Sequence, residues 1–260
     1  MNVNPMSSSI QKTLNERGLS GQKSLALLID PDKVQDLKSL TNLLHMAKEC
    51  YVDFIFVGGS LITNNSMPEV VKVTKSNCDI PVILFPGNTM QIDIHADAIL
   101  YLSLISGRNP DLLIGQHVIS APILKNSSLE VLPTGYMLVN SESTSAVSYM
   151  SNTRPIPPDK DSVAACTAMA GEMLGLKLIY MDAGSGAKVC IPSRMIRTVR
   201  KSIDIPLIVG GGINSSQKVK QVLEAGADTV VLGNAIEKNP NLLIEVSEII
   251  YDFNKSLNVH

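Results

Sequence analysis

The chain has 260 residues, of which 45% are hydrophobic and 18% are charged, and its formal net charge is −2. This composition supports a sizeable core and disfavours disorder, and the lack of a basic excess disfavours a nucleic-acid-binding protein. No apolar run approaches the roughly 20 residues of a membrane-spanning helix, and the N-terminus lacks the apolar core of a signal peptide. We therefore expect a soluble, cytoplasmic protein.

Eight short segments rich in Val, Ile and Leu predict eight strands. Their nearly continuous apolar character is typical of parallel strands that are covered on both faces. The predicted strands span residues 25–30, 54–60, 81–87, 98–105, 135–140, 177–184, 206–213 and 229–236. Helical patterns lie between most of them, and a further helix is expected at about residues 6–18, packed on the barrel. Eight such units predict an α/β fold, a single (β/α)₈ TIM barrel in one domain, 1–260.

A doubly wound open sheet is the alternative architecture. The barrel is preferred because small or polar residues end nearly every predicted strand, which would place functional residues in a ring rather than in one crevice. Two internal similarities support repeated units: "CDIPVILFPGN" resembles "IDIPLIVGGGI", and "YVDFIFVGGS" resembles "GADTVVLGNA".

The connection between the third and fourth strands is short. The segment "NTMQIDIHAD" is at or below the roughly 10–12 residues that a crossover with its helix requires. We therefore expect the third helix to be short or replaced by a non-helical segment, which leaves an opening in the outer wall. The polar segment 141–158 is interpreted either as a lid or as a surface loop.

Two helices carry recognisable end signals. The segment "SSQKVKQVLEAGAD" predicts a helix with a Ser cap that ends at Gly226. The segment "DKDSVAACTAMAGEMLG" predicts a helix capped by Asp159 or Asp161 that stops at Gly175.

Glycine clusters follow the last two predicted strands. Gly210–Gly212 follow the seventh strand, and Gly233 and Asn234 follow the eighth. Phosphate sites in barrels form at these two loops, where glycine lets main-chain N–H groups approach the phosphate oxygens. The glycines could instead serve only tight turns, but two clusters at neighbouring strand ends favour phosphate.

The first two strands end in oxygen ligands. Asp30 ends the first strand in "LLIDPDKV", and Ser60 ends the second in "GGS". A carboxylate with a hydroxyl is a sparse set that suits Mg²⁺, which retains waters and takes further ligands from substrate phosphates. An Asp-Pro turn with a Ser helix cap explains the same residues equally well.

Asp32 is assigned a structural role as a helix cap. Arg108 is either a further positive charge for the site or a solvated loop residue.

The sixth strand ends in the stretch "YMDAGSGA", residues 180–187. A carboxylate at a strand tip, followed by small residues, predicts that a small phosphorylated substrate binds here and that Asp182 acts on one of its hydroxyls. The scattered cysteines and histidines form no zinc pattern.

Nine motifs in order resemble the geranylgeranylglyceryl phosphate synthase family over residues 10–250. They are "LLIDPDK", "FVGGS", "LFPGN", "YLSLISGRNP", "LIGQHV", "PTGYMLV", "YMDAGSGA", "PLIVGGGI" and "VVLGNAIEKNP". The chain resembles the branch with a Leu-Ile-Asp-Pro-Asp motif, in which Leu28 stands where the other branch has Lys.

The resemblance implies a modified barrel with a non-helical third segment. It also implies a Mg²⁺-dependent phosphoglycerol geranylgeranyltransferase of ether phospholipid biosynthesis. This prenyltransferase joins a prenyl diphosphate to the 3-hydroxyl of sn-glycerol 1-phosphate and releases diphosphate. Geranylgeranyl diphosphate is the first candidate for the prenyl donor. Family members commonly self-associate, so a homo-oligomer is also implied, and whether the protein makes transient contact with a membrane is left open.

The resemblance assigns Asp30 and Ser60 as Mg²⁺ ligands and Asp182 as the catalytic residue. It assigns glycerol phosphate contacts to Tyr180, Met181, Asp182, Ala183, Gly184, Ser185, Gly186, Gly211, Gly212, Gly233 and Asn234. Many relatives have Glu in place of Asp182, which is one methylene shorter. Whether Asp182 acts directly or through a water is left open.

Two other functions compete. One is another phosphate-binding barrel enzyme of the isomerase, aldolase or flavin type, although Lys177 and Lys188 are poorly placed for a Schiff base. The other is a non-catalytic barrel that binds lipid precursors. A prenyl tail would need an apolar groove, for which the opening near the third and fourth strands is the expected exit. Tyr101 either lines that groove or fills the core.

Overall fold

The computed structural model describes residues 9–64, 66–140 and 146–257, in which eight parallel strands close into a barrel. The strands are β1 (Ser24–Ile29), β2 (Phe54–Val57), β3 (Val82–Leu84), β4 (Ala98–Leu104), β5 (Glu130–Leu138), β6 (Leu178–Asp182), β7 (Leu207–Gly210) and β8 (Thr229–Leu232). The sheet closes where β8 pairs with β1, with Thr229 opposite Ser24. The predicted barrel is confirmed.

Helices cover most of the outside of this sheet and also lie at its two ends. They are α1 (Ile10–Ser20), α2 (Leu37–Glu49), α3 (Met67–Asn77), α4 (Gln116–Lys125), α5 (Ala146–Ser151), α6 (Asp161–Met173), α7 (Ser193–Arg200), α8 (Ser216–Glu224), α9 (Asn234–Lys238) and α10 (Leu242–Leu257). The expected N-terminal helix is thus observed at Ile10–Ser20. Helix α5 lies within the segment interpreted as a lid or loop, and residues 141–145 of that segment lie outside the described residues.

All eight predicted strands are present, but their bounds differ. Most strands end earlier than predicted, as β2 does at Val57, because the glycine-rich tips turn out of the sheet. Strand β5 begins at Glu130 rather than at residue 135, so that Pro133 lies within it, opposite Tyr101. Pro133 has no N–H group to donate, but its carbonyl still accepts from Lys177 N at 2.8 Å.

The connection from β3 to β4 contains one 3₁₀ turn, Thr89–Gln91, in place of a regular helix. Helix α4 packs beside this turn. The helix that would follow the third strand of a regular barrel is therefore replaced by this turn, as predicted, and the barrel wall is thin at this point.

Alternation along each strand separates two apolar cores. On β6, Leu178 and Tyr180 point into the barrel, whereas Ile179 and Met181 pack under the outer helices. Ile10 and Leu14 of α1 join the inner core, so that α1 closes the N-terminal end of the barrel. The strands are continuous apolar runs because both of their faces are buried.

The helix-cap predictions were partly right. Ser215 caps α8 through its hydroxyl, which accepts from Lys218 N at 3.3 Å, and the helix ends at Glu224, just before Gly226. The prediction that Asp159 or Asp161 caps α6 was wrong. Lys160 is the cap residue, and Asp161 lies in the first turn, where its negative charge interacts favourably with the helix dipole. The helix stops at Met173, before Gly175 as predicted.

The predicted capping role of Asp32 was also wrong, because Asp32 lies within a 3₁₀ turn, Pro31–Lys33, and the next helix begins only at Leu37. Its Oδ2 instead accepts from the main chain and the hydroxyl of Thr63, at 2.7 and 2.8 Å. These bonds, first the one from the Thr63 N–H, lower the pKa of Asp32. Asp36 caps α2.

Carboxylates that precede β2, β4 and β8 hold the N-terminal end of the barrel. Asp53, Asp97 and Asp228 each accept from the first or second N–H of the preceding strand and pair with a cation. The N–H donors, in the same order, are Leu25, Val82 and Leu207, at 2.8, 2.8 and 2.9 Å. The cations are Arg17, Lys75 and Arg200. This end of the barrel is therefore built for stability.

Within the described ranges, no helix combines the length and apolar character that crossing a bilayer requires.

Candidate active site

A cavity of about 780 Å³ opens at the C-terminal ends of the strands. Most of the predicted site residues line this one cavity. They are Asp30, Ser60, Tyr180, Asp182, Gly184, Ser185, Gly186, Gly211, Gly212, Gly233 and Asn234. Residues of five strand ends are thus brought together, as the barrel prediction required.

Two of the implied contacts are not placed in the cavity. The side chain of Met181 lies in the outer core, because alternate residues of β6 face opposite sides of the sheet. Ala183 is buried in the same core, and its N–H donates to the Gly210 carbonyl at 3.1 Å. The side chains of Met181 and Ala183 therefore support the site from behind, and the contacts of these two residues with glycerol phosphate stay a prediction.

Asp182 lies at the tip of β6 and is only 6% exposed. Its Oδ2 accepts from the Tyr136 hydroxyl at 2.6 Å, and its Oδ1 accepts from Gly184 N at 2.7 Å. Burial raises the pKa of Asp182, and these two hydrogen bonds oppose that rise. A buried carboxylate with a raised pKa at the wall of a cavity is suited to accept a proton.

Tyr136 was not among the site residues predicted from the sequence. It lies on β5 opposite Tyr180, so both rings point into the barrel beneath Asp182. Burial raises the pKa of both phenols well above the usual range, which keeps the Tyr136 hydroxyl protonated and able to donate. Phe85 stacks on Tyr180, with ring centroids 5.1 Å apart, and meets Tyr136 edge-on at 5.8 Å. These rings form a rigid aromatic floor.

The loops after β6 and β7 pack main chain against main chain. Gly211 and Gly212 have φ of +80° and +69°, which favours glycine. A Cβ at Gly211 would lie 2.5 Å from Asp182 Oδ1, and a Cβ at Gly212 would lie 2.5 Å from the Val189 carbonyl. Both glycines also line the cavity, and the main-chain amides of such turns are groups that can bind phosphate.

Lys33 lies between the two predicted anion subsites and was also missed. Its Nζ is 3.2 Å from Asp30 Oδ2 and donates to Asn234 Oδ1 at 2.6 Å. Glu237 lies 3.9 Å from the same ammonium group. Burial raises the pKa of Glu237, against the attraction of Lys33. A diphosphate group needs positive charge near it, and the chain has a net charge of −2. This need was the sequence feature that could have suggested Lys33.

Arg108 does not supply that counter-charge. Its guanidinium donates to the carbonyls of Ile105 and Gly107 in its own loop, at 3.2 and 2.6 Å. It is a loop-stabilising residue, which was the second of its two interpretations.

The donor set at the first two strands consists of oxygen ligands, which hard divalent cations prefer. No cluster of three or more His, Cys, Asp or Glu side chains exists within residues 9–64, 66–140 and 146–257. Asp30 Oδ1 lies 3.3 Å from where a Cβ on Gly59 would be, so the carboxylate lies against the turn that carries Ser60. The Asp30 side chain keeps 20% of its surface exposed. Few oxygen ligands facing an open cavity fit Mg²⁺.

An apolar arm of the cavity runs between β4 and α4. It is lined by Ile92, Ile99, Leu102, Leu112 and His117. Tyr101 lines this arm and also packs against the outer core, so both of its interpretations hold in part. Its hydroxyl donates to the His117 carbonyl at 2.7 Å. The arm reaches the outer wall of the barrel at the connection from β3 to β4, where a regular helix is replaced by the 3₁₀ turn. This is where the exit of an apolar groove was expected.

Comparison with known proteins agrees with this geometry. The model of the PcrB family matches residues 20–250. The geranylgeranylglyceryl phosphate synthase of Spirosoma linguale is 53% identical over 244 residues, which cover 94% of this chain and 98% of that protein. The protein of the same name from Chitinophaga pinensis is 52% identical over 248 residues, covering 95% and 97%.

A solved structure is also closely similar. It is the crystal structure of (S)-3-O-geranylgeranylglyceryl phosphate synthase from Thermoplasma acidophilum in complex with substrate sn-glycerol-1-phosphate. Its TM-score is 0.88 at 29% identity, and the alignment covers 95% of this chain and 100% of that chain. The family match over most of the chain, together with relatives at this level of identity, shows that the chain belongs to the PcrB family.

Proposed function

We propose that this chain is a prenyltransferase that joins the 3-hydroxyl of sn-glycerol 1-phosphate to a prenyl diphosphate, with geranylgeranyl diphosphate as the first candidate donor. One observation carries the proposal: a single cavity contains the buried carboxylate of Asp182, the glycine loops, the Asp30 and Ser60 pair, and an apolar arm. The names of the relatives and the glycerol phosphate bound to the similar structure support it.

The glycine loops would hold the acceptor. Main-chain N–H groups near Gly211, Gly212 and Gly233 bind the phosphate, and the glycerol extends toward Asp182. Each oxygen of Asp182 accepts one hydrogen bond from the protein, which leaves acceptor capacity for the substrate hydroxyl or for one bridging water. Tyr136 keeps the carboxylate oriented. Binding the acceptor in this way makes its reaction with the donor effectively intramolecular.

The opposite side of the cavity would hold the donor. Asp30 and Ser60 are the residues that would bind Mg²⁺, and Lys33 adds a fixed positive charge beside the diphosphate. When bound, Mg²⁺ supplies charge neutralisation for the departing diphosphate. The apolar arm between β4 and α4 holds the first part of the tail and excludes water from the reacting carbon.

The reaction exchanges one C–O bond for another. The glycerol oxygen forms the ether bond to C1 of the prenyl group as the bond from C1 to the diphosphate oxygen breaks. The hydroxyl proton passes to Asp182, and diphosphate leaves with the electron pair. Lys33 and the cavity dipoles are preorganised for the charge that develops.

The test is to incubate the protein with Mg²⁺, sn-glycerol 1-phosphate and labelled prenyl diphosphates of graded length. We expect prenylglyceryl phosphate and diphosphate in equal amounts, with sn-glycerol 3-phosphate as the matched acceptor control. If glycerol phosphate binds but no donor releases diphosphate, the chain is a lipid-precursor carrier and the proposal is wrong.

A further inference from the structure

The ammonium group of Lys218, in the first turn of α8, is fully committed to protein oxygens. It donates to the Gly212 carbonyl at 3.1 Å, to Asn214 Oδ1 at 2.9 Å and to the Lys188 carbonyl at 3.4 Å. An ammonium has three N–H donors, so all three are used. No ion pair within the described ranges includes Lys218. Because a cation is unfavourable at the positive end of a helix dipole, these acceptors must account for its placement.

The acceptors belong to the two loops that meet at the phosphate side of the cavity. Lys188 is in the loop after β6, and Gly212 and Asn214 are in the loop after β7. Gly212 packs so closely on Val189, the next residue after Lys188, that no Cβ fits between them. Lys218 therefore joins the two loops at the point where their main chains touch.

We propose that Lys218 is a positioning residue for glycerol phosphate, which sets the affinity of the site without contacting the substrate. Glycine loops have more conformational freedom than other segments, so an empty loop samples many states unless something restrains it. Holding the loops in the binding conformation lowers the entropy cost of binding. A direct phosphate contact is disfavoured because three loop oxygens already lie within 3.4 Å of Lys218 Nζ. The inference builds on the proposed function by explaining how its acceptor subsite is kept in shape.

Three variants test the inference: Lys218→Met, Lys218→Arg and the matched control Lys220→Met. Lys220 is on the same helix but is exposed and 4.0 Å from Glu224, away from both loops. For Lys218→Met we expect about tenfold weaker binding of sn-glycerol 1-phosphate by calorimetry, with the KM for prenyl diphosphate within about twofold of the wild type. Lys218→Arg should recover part of the affinity, and Lys220→Met should match the wild type.

Amide hydrogen exchange of the ligand-free protein gives a second readout that needs no substrate. In Lys218→Met, residues 183–190 and 210–214 should exchange faster, while the strands keep their protection. Unchanged loop exchange, unchanged glycerol phosphate affinity, or an equal loss of affinity for both substrates would each overturn the inference. If the wild type binds no glycerol phosphate, the proposed function and the positioning role both fail, and the exchange rates then show whether Lys218 restrains the two loops.

Discussion

Asp182 and Asp228 are equally buried, each 6% exposed, but they lie at opposite ends of the barrel and differ in their partners. Asp228 lies 2.8 Å from Arg200 and 3.8 Å from Lys23, and it accepts from the main chain of β7. Asp182 accepts only from neutral donors, Tyr136 and Gly184, and takes part in none of the ion pairs of the described residues. Cations neutralise Asp228, which suits a structural role, whereas Asp182 has no such partner in the described part of the chain and lies in the cavity wall, which suits a reactive one.

The largest effect is expected from Asp182→Asn. Loss of the proton acceptor should lower kcat by about 100-fold to 10,000-fold. The thermal midpoint should stay the same or rise, since the amide is uncharged, its one oxygen can accept from Gly184 N, and its NH₂ group can donate to the Tyr136 hydroxyl. Steady-state kinetics and calorimetry on one preparation would check both parts. Near-normal activity in this variant would remove Asp182 from the mechanism.

The matched change at the other end, Asp228→Asn, should have the opposite profile. It leaves Arg200 and Lys23 without their counter-charge. We expect the free energy of unfolding to fall by about 3 kcal/mol, the lower end for a broken buried pair because the Arg200 side chain is 25% exposed. Denaturant unfolding measures this loss. The kcat of the folded fraction should be unchanged, and a selective loss of kcat would contradict the division between the two ends.

Tyr136→Phe should have a smaller effect, of about tenfold on kcat, and a clear signature in pH. The Tyr136 hydroxyl stabilises the charged carboxylate, so its removal should raise the pKa of Asp182 further. Asp182 then protonates at a higher pH, and the acid limb of the kcat/KM profile should move to higher pH. The phenylalanine ring retains the packing on Phe85. A limb that stays in place or moves to lower pH would show that the hydroxyl does not act through Asp182.

The smallest effect is expected from Tyr101→Ala, which widens the apolar arm far from the reacting groups. The preference among donors should shift by a few fold toward longer tails, at little cost to the chemical step. Competition between two donors of different length would measure the shift. An unchanged preference, with stability lost, would assign Tyr101 to the core alone.

The sequence was sufficient for features that depend on local pattern. Continuous apolar runs predicted the strands, a short connection predicted the missing helix, and strand-end positions placed Asp30 and Asp182 in one cavity. It was insufficient where long side chains or strand register decide the contact. Tyr136 reaches Asp182 only because β5 and β6 pair in a particular register, and Lys218 reaches two loops across the end of a helix. Neither contact leaves a spacing pattern in one sequence.

A crystal structure of this protein with sn-glycerol 1-phosphate would test the central claim most directly. The account predicts the phosphate against the main-chain amides of Gly211, Gly212 and Asn234. It predicts the 3-hydroxyl within hydrogen-bond reach of Asp182, roughly 2.6–3.2 Å or one water away. Glycerol phosphate bound outside these loops, or with its 3-hydroxyl turned away from Asp182, would contradict it.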